Sequence, residues 1–288
     1  SPGELSLVVG PTGSGKSTLL KVINRLSPNF SGGRMSGTIL VNEMDATNSK
    51  PRELAKLIGY VNQTPESSFV AETVIEELAF GMEQLGTAKT QMLENIEKYS
   101  EILGLTDLLH RPLEGLSAGQ QQRVAIAAAL VAGQRVLLLD EPTSALDENT
   151  ATDLLQTLRR LAAEHGITVL ITEHRIERLI DLSDTLVMLK GDGSAIKNDS
   201  NWHSLYSTFP GWLPKDPATT KENVFKAESA QVLLEIEGLT VRYPGSQHDA
   251  LNDASLVIRN AEIVSLAGPN GSGKTTLLEA VAGQLHFT

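Results

Sequence analysis

The stretch Gly10–Thr18, GPTGSGKST, decides the fold of this chain, and a near-copy, GPNGSGKTT, occupies Gly268–Thr276. Both fit G-x-x-x-x-G-K-[ST], in which glycines let backbone N–H groups surround phosphate oxygens. In the first copy, Lys16 would bring a positive charge to the β- and γ-phosphates, and the Ser17 hydroxyl would bind Mg²⁺. An apolar run at 5–9 precedes this loop and a helical pattern follows it, as the motif requires. The repeat therefore predicts binding of a nucleoside triphosphate.

The predicted nucleotide-binding residues are those of each loop and of the helix start that follows it. They are Gly10, Pro11, Thr12, Gly13, Ser14, Gly15, Lys16, Ser17 and Thr18 in the first copy, and Gly268, Gly271, Ser272, Gly273, Lys274, Thr275 and Thr276 in the second. Because a helix begins at the end of each loop, its positive end is expected to face the anion.

Composition limits the classes of protein that this chain can belong to. With 288 residues and 41% hydrophobic content it can form one large core or two smaller ones. It has no cysteine, so the sequence predicts neither a disulfide framework nor a thiol site. A net charge of −11 argues against nucleic acid as a partner. The longest apolar stretches, such as 124–132, are too short to span a bilayer, so a membrane role would require a partner protein.

Strand-like and helix-like patterns alternate along the chain, which favours an α/β fold with parallel strands. The predicted strands are 3–9, 38–42, 58–62, 136–139, 167–172, 184–189 and 195–197, followed by 233–245 and 250–258 in the second copy. Helices are predicted at 15–26, 51–57 and 149–164. The segment 73–104 has a helical pattern throughout, which predicts a helical insertion between two parts of the sheet.

Two further segments carry polar residues at the ends of predicted elements. Gln63 follows the strand at 58–62 and, alone, is typical of an ordinary loop. The sequence LSAGQQQR at Leu116–Arg123 predicts a helix N-cap at Ser117. Alternatively, Ser117 and the N–H groups of Ala118 and Gly119 form a second anion-binding helix start.

Acidic residues follow the buried strand at 136–139. Because ligands of open α/β sheets gather at the carboxyl ends of strands, Asp140 is predicted to hold Mg²⁺ and Glu141 to deprotonate the attacking water. The alternative is an exposed acidic turn that caps the next helix. Glu173 and His174 follow the strand at 167–172, where a group sensing the γ-phosphate would be useful.

In this order, the motifs resemble those of the ATP-binding-cassette family of ATPases. Gly10–Ser17 matches the Walker A loop, Gln63 the Q-loop, Ser117, Ala118, Gly119 and Gln120 the signature, Val136–Glu141 Walker B, Ser144–Asp147 the D-loop and His174 the switch histidine. The resemblance implies Glu141, His174 and Gln63 as catalytic residues, and Ser17, Gln63, Asp140 and Thr275 as Mg²⁺ ligands. Ala118 departs from the family, which usually has Gly there. Tyr243 matches the aromatic that stacks on adenine, with an ordinary strand aromatic as the alternative.

The resemblance implies an α/β fold with a P-loop NTPase (RecA-like) core, a mixed, largely parallel sheet, a helical subdomain that carries the signature, and an antiparallel β segment from the second copy. Residues 1–200 are predicted to form a first cassette domain that lacks its adenine-side strands. Residues 201–231 are a predicted linker, and 232–288 the start of a second cassette through its Walker A loop. The chain is therefore expected to be an internal piece of a longer tandem protein.

The implied activity is hydrolysis of ATP with Mg²⁺ by two cassettes that meet head to tail. Among subfamilies, the sequence is most similar to ATPases of energy-coupling-factor importers, which drive uptake of vitamins or transition-metal ions. These act on membrane-embedded transport subunits, which implies a cytoplasmic location on the inner face of the cell membrane. Two alternatives stay open: a soluble cassette ATPase that acts on nucleic acid or ribosomes, and a fragment that binds nucleotide but hydrolyses it weakly.

Overall fold

In a computed structural model, the described residues are 2–41, 43–190, 194–198, 231–243, 246, 248–260, 262–266, 268 and 271–284. The chain divides into two compact units, one of residues 1–146 and 150–214, the other of residues 147–149 and 215–288. Apart from residue 231, the predicted linker lies outside the described residues, as do residues 191–193 between the predicted strands 184–189 and 195–197.

The first unit contains a six-stranded sheet in the order β4-β5-β6-β1-β7-β8. Its strands are β1 (Leu5–Val9), β4 (Ile58–Val61), β5 (Val136–Asp140), β6 (Thr168–Thr172), β7 (Thr185–Leu189) and β8 (Ala195–Asn198), and β2 (Leu40–Val41) pairs with β3 (Met44–Asp45) in a separate antiparallel ribbon. The first five strands of the order are parallel and β8 pairs antiparallel with β7. This confirms the predicted mixed, largely parallel sheet. Because β1 lies between β6 and β7, the loop that follows it emerges near the middle of the carboxyl edge.

The helices of the first unit are α1 (Lys16–Ile23), α2 (Pro51–Leu54), α3 (Val74–Gln84), α4 (Lys89–Leu103), α5 (Ala118–Ala128) and α6 (Glu148–His165), with 3₁₀ turns at Pro65–Ser68, Thr106–Leu108, Leu113–Gly115 and Ile176–Arg178. The predicted helical insertion is confirmed as α3 and α4. The expectation that α1 would reach Leu26 was wrong, because α1 ends at Ile23 and the left-handed φ of 59° at Arg25 cannot continue a helix. None of the helices in the described part of the chain is both long and apolar enough to cross a bilayer.

Apolar residues cover both faces of the sheet. Leu137 and Leu139 belong to a large core that also includes buried side chains of α3 to α6, whereas Leu138 belongs to a smaller core with Leu20 of α1 and Leu54 of α2. This alternation follows from the period of two residues in a strand. Each fully buried leucine contributes about 1.5–3 kcal/mol to stability, so the two cores hold β5 firmly in place.

The second unit contains β9 (Val232–Val241), β10 (Leu251–Arg259) and α7 (Lys274–Val281). The two strands pair antiparallel in a sheet of their own, which confirms the predicted antiparallel segment. Residues 262–266, which precede the second loop, form no strand, and Ile263 is 99% exposed. In the first unit, β1 is flanked by strands that come later in the chain, and no described strand follows β10.

Candidate functional site

The first phosphate loop joins β1 to α1 through a backbone that requires glycine. Gly13 and Gly15 have φ values of 83° and 95°, in the region that glycine adopts most easily. A Cβ atom on Gly10 would lie 2.4 Å from Ser14 Oγ and 2.8 Å from the carbonyl oxygen of Leu189. The loop therefore needs glycine at two positions for its conformation and at one for space.

Lys16 is buried within this loop, at 5% exposure. Its Nζ atom donates hydrogen bonds to the carbonyl oxygens of Gly10, at 2.8 Å, and Pro11, at 3.3 Å. Burial lowers the pKa of the Lys16 ammonium below its ordinary value, while the carboxylates of Glu141 and Asp140 oppose the shift. Because a desolvated ammonium lacks full charge compensation, a phosphate oxygen at this position would favour its charged form.

The described residues of the second loop repeat two features of the first. Lys274 Nζ donates to the carbonyl oxygen of Gly268 at 2.8 Å, and Gly271 and Gly273 have φ values of 80° and 86°. The hydroxyl of Tyr243 lies 3.2 Å from Thr276 Oγ1, on α7. The described residues of the second loop thus share with the first the lysine contact and the two positive-φ glycines before the helix. The stacking of Tyr243 on adenine and the role of Thr275 as an Mg²⁺ ligand stay predictions.

Two of the predicted Mg²⁺ ligands meet at the carboxyl edge of the sheet. Ser17 Oγ donates a hydrogen bond to Asp140 Oδ1 at 3.0 Å, and Thr172 Oγ1 donates to the same oxygen at 2.8 Å. Burial, together with the nearby Asp140 carboxylate, raises the pKa of the Tyr60 phenol to about 12. Hydroxyl and carboxylate oxygens suit Mg²⁺, so the donor set at Ser17 and Asp140 fits this ion.

The Glu141 carboxylate is held from two sides. His174 Nε2 lies 2.7 Å from Oε1, and Gln63 Nε2 donates to Oε2 at 3.1 Å. The Glu141 backbone has a φ of 50°, and its N–H group donates to the carbonyl and the hydroxyl of Thr172, both at 3.1 Å. With 14% of its side chain exposed, Glu141 is not part of an exposed acidic turn. All three predicted catalytic residues therefore meet; their roles, and that of Gln63 as an Mg²⁺ ligand, stay predictions.

Glu173 connects the end of β6 to the loop after β5. Its carboxylate accepts hydrogen bonds from the backbone N–H and the hydroxyl of Thr143, and from the N–H of His174 at 3.1 Å. The side chain is buried, at 3% exposure. The sequence shows Glu173 at the end of a predicted strand, but not this role. The available signal is an acidic residue directly after a buried strand, next to the histidine singled out by its position.

The signature residues cap α5. Ser117 Oγ accepts a hydrogen bond from the Gln120 N–H at 3.3 Å, and Gln120 Oε1 accepts one from the Ser117 N–H at 2.9 Å. This reciprocal capping box confirms the predicted N-cap. A Cβ atom on Gly119 would lie 2.5 Å from Thr150 Cγ2, so α5 and α6 approach closely there. Anion binding by Ser117 and the N–H groups of Ala118 and Gly119 stays a prediction.

Two of the cavities in the described part of the first unit differ in their relation to the predicted site. One, of about 300 Å³, is lined by residues of three predicted motifs, among them Gln63, Ala118 and Ser144. The other, of about 540 Å³, lies between α1, α2, α3, α5 and β4 and is lined in part by Phe30 and Phe80. None of the predicted site residues lines it. The smaller cavity thus joins the Q-loop, the signature and the D-loop in one place.

The central phosphate loop and the carboxylates at its sheet edge define a nucleotide-binding protein of the P-loop α/β class. The sequence model of the family described as ABC transporter matches residues 1–144 and 251–288, more than half of the chain. The chain belongs to this family. The matched residues include both phosphate loops, the strand β5 that ends at Asp140, and Glu141 directly after it.

The chain is 37% identical to a Streptomyces coelicolor protein provisionally named an ABC transporter ATP-binding protein, across 98% of this chain and 60% of that protein. It spans about 60% of the length of the first relatives it matches. Among solved structures it is similar to cbiO1 from Clostridium perfringens, part of the ABC transporter complex cbiONQ, with a TM-score of 0.63, 28% identity, and 73% of this chain and 81% of that chain covered. It is also similar to the dimeric ATP-binding cassette MJ0796 bound to ADP and phosphate, with a TM-score of 0.59, 27% identity, and 70% and 87% covered.

Proposed function

We propose that the first unit binds Mg-ATP and hydrolyses it to ADP and phosphate. The observation that carries this proposal is the position of the Glu141 carboxylate, which is held by Gln63 and His174 at the sheet edge where the Lys16 loop ends. A carboxylate fixed in this way can accept the proton of a water molecule that attacks the terminal phosphate. The geometry thus supports a general base beside a phosphate-binding loop.

Each residue has a distinct part in the proposed reaction. Lys16 exchanges the carbonyl oxygens of its own loop for phosphate oxygens, which form stronger, charge-assisted hydrogen bonds. Ser17 and Asp140 would hold Mg²⁺, which when bound neutralises phosphate charge. Glu141 takes the proton from water, and His174 and Gln63 keep its carboxylate oriented.

We further propose that this ATPase powers a membrane importer for a vitamin or a transition-metal ion. Support comes from the similarity to cbiO1, which is part of an ABC transporter complex, and from the names of the sequence relatives. The proposed partners are membrane-embedded transport subunits, which would hold this cytoplasmic ATPase at the inner face of the cell membrane. The net charge of −11 opposes the alternative of action on nucleic acid or ribosomes.

The proposed domain organisation is a cassette at 1–200, a linker at 201–231 and the start of a second cassette at 232–288. Lys16 and Lys274 each donate to a carbonyl oxygen of their own loop, which supports the assignment of each loop to a cassette. The proposed partner of a cassette is a second cassette that meets it head to tail.

The test is equilibrium binding of Mg-ATP and steady-state hydrolysis by the full chain, with variants of both lysines. Lys16→Ala should weaken ATP binding at the first site about 100-fold, because it removes two charged hydrogen bonds. Lys21→Ala, on the exposed face of the same helix, is the matched control and should change neither quantity. Hydrolysis that persists in Lys16→Ala would exclude the first loop as the site, and loss in Lys274→Ala alone would assign the activity to the second.

A further inference from the structure

We propose that Glu173 is a positioning residue for ATP hydrolysis. Its carboxylate joins the loop after Glu141 to the backbone of His174, and so holds the His174 imidazole against the Glu141 carboxylate. This inference rests on the proposed function, because it assigns Glu141 and His174 their parts in ATP hydrolysis. Glu173 itself contacts neither the Glu141 carboxylate nor the Lys16 loop through any hydrogen bond described above. It acts through the two residues that donate hydrogen bonds to it, Thr143 and His174.

The contacts form a closed ring. From Glu141, the chain runs two residues to Thr143, whose N–H and hydroxyl groups donate to Glu173 Oε1. The other carboxylate oxygen, Oε2, accepts the N–H of His174 at 3.1 Å. The ring closes where His174 Nε2 lies 2.7 Å from Glu141 Oε1. Because each link is a covalent connection or a hydrogen bond, the separation of imidazole and carboxylate depends on Glu173.

The chemistry of Glu173 suits this task. Three donors converge on its two oxygens, which matches an ionised carboxylate, a group that only accepts hydrogen bonds. At 3% exposure the carboxylate is shielded from water, and hydrogen bonds to it are strengthened by the low local dielectric. Arg178 Nη1 donates to Thr143 Oγ1 at 3.3 Å, which leaves the hydroxyl proton of Thr143 directed to Glu173.

The histidine needs such support because little else fixes it. Its side chain is 46% exposed, and residues 173 and 174 belong to no helix or strand. Glu141, in turn, has the left-handed backbone φ of 50°, a conformation that surrounding contacts must maintain. A buried carboxylate that links the two segments supplies this constraint.

The primary test is Glu173→Gln in the full chain. In either orientation of the glutamine amide, its NH₂ group would face a backbone N–H donor, that of Thr143 or that of His174. At least one of these two hydrogen bonds is therefore lost. We expect kcat for ATP hydrolysis to fall about 10- to 100-fold, with the Kd for Mg-ATP unchanged within about twofold. Glu4→Gln is the matched control, because the Glu4 carboxylate also accepts from a threonine hydroxyl, that of Thr185, at the opposite edge of the same sheet. It should leave kcat unchanged.

A second measurement reports on the environment of the His174 ring and does not depend on ATP hydrolysis. In histidine-selective NMR, the His174 ring signal, assigned with His174→Ala, should change in Glu173→Gln and stay constant in Glu4→Gln. If wild type hydrolyses no ATP, the proposed function fails, while the ring signal still tests the positioning role. An unchanged ring signal in Glu173→Gln would refute that role.

Variants of Thr143 keep the test valid if Glu173→Gln does not fold. Thr143→Val removes the hydroxyl donor at nearly constant volume and should lower kcat, as Glu173→Gln does. Thr143→Ser retains the hydroxyl donor and should keep kcat near the wild-type value. In the His174→Ala background, Glu173→Gln should have no further effect on kcat, because the residue it positions is gone. Additive losses in that double variant would contradict a role exerted through His174.

Discussion

Replacement of Glu141 by glutamine separates the role of this residue in catalysis from its role in structure. Glutamine has nearly the same shape and retains one oxygen that can accept the 3.1 Å hydrogen bond from Gln63. It cannot take a proton from water at neutral pH. Lys16 donates its hydrogen bonds to carbonyl oxygens of its own loop and not to the Glu141 side chain, so these contacts should be preserved in Glu141→Gln.

The expected loss follows from the function of a general base. Such a base contributes about 10²- to 10⁴-fold to a rate, so kcat should fall by that factor. This corresponds to about 3–5 kcal/mol in the activation free energy. The Kd for Mg-ATP should stay within about threefold of wild type, because no charge-assisted contact to phosphate is removed.

Phosphate release in the steady state measures kcat, and equilibrium titration with Mg-ATP measures Kd. Glu4→Gln provides the control for a change from carboxylate to amide on the same sheet. The reasoning is refuted if Glu141→Gln hydrolyses ATP at the wild-type rate. A parallel loss of ATP affinity and kcat would also contradict it, because Glu141 would then hold the loop rather than act on water.

Two further predictions concern stability and are read from urea unfolding. Gly119→Ala should destabilise the protein by about 1–3 kcal/mol, because the added Cβ would lie 2.5 Å from Thr150 Cγ2. Gly81→Ala in α3 is the control: its Cβ would have nothing within 4 Å, so it should stabilise the protein by about 0.5–1 kcal/mol. Equal effects of the two substitutions would contradict the close approach of α5 and α6. The raised pKa of Tyr60 means that the native state holds its phenol proton more tightly than the unfolded state, so this contribution is present below pH 10 and lost between pH 10 and about 12. Over that interval wild type should lose about 1–2 kcal/mol more than Tyr60→Phe, after allowance for solvent screening. Parallel pH profiles would refute the raised pKa of the buried Tyr60 phenol.

The sequence predicts most of the first unit because its strands are apolar runs with polar residues at one end. Val136–Asp140, for example, is recognisable from composition alone, and the sheet edge to which Asp140 and Glu141 belong follows from the parallel topology. The ribbon strand Met44–Asp45 was not predicted, since two residues with exposed side chains carry no periodic signal. Local pattern identifies buried strands better than exposed ones.

The sequence also predicts the members of the candidate site better than their contacts. Spacing places Gln63, Glu141 and His174 at strand ends, but the pairing of both Gln63 and His174 with one carboxylate depends on side-chain directions. The contact between Glu173 and Thr143 joins residues that are 30 positions apart, so no local pattern contains it. Tertiary structure alone reveals such a link.

The central place of β1 has a consequence for how the first unit folds. β1 is synthesised before both of its hydrogen-bonded neighbours, β6 and β7, which begin more than 160 residues later, at Thr168 and Thr185. The Gly10 loop rests against Leu189, at the end of β7. Strand pairings between such distant residues form slowly, because the entropy of closing a long loop is lost before the stabilising contacts form. The first phosphate loop is therefore expected to reach its folded form only after nearly the whole unit has left the ribosome. ATP would then bind and stabilise only chains that have been synthesised to this stage.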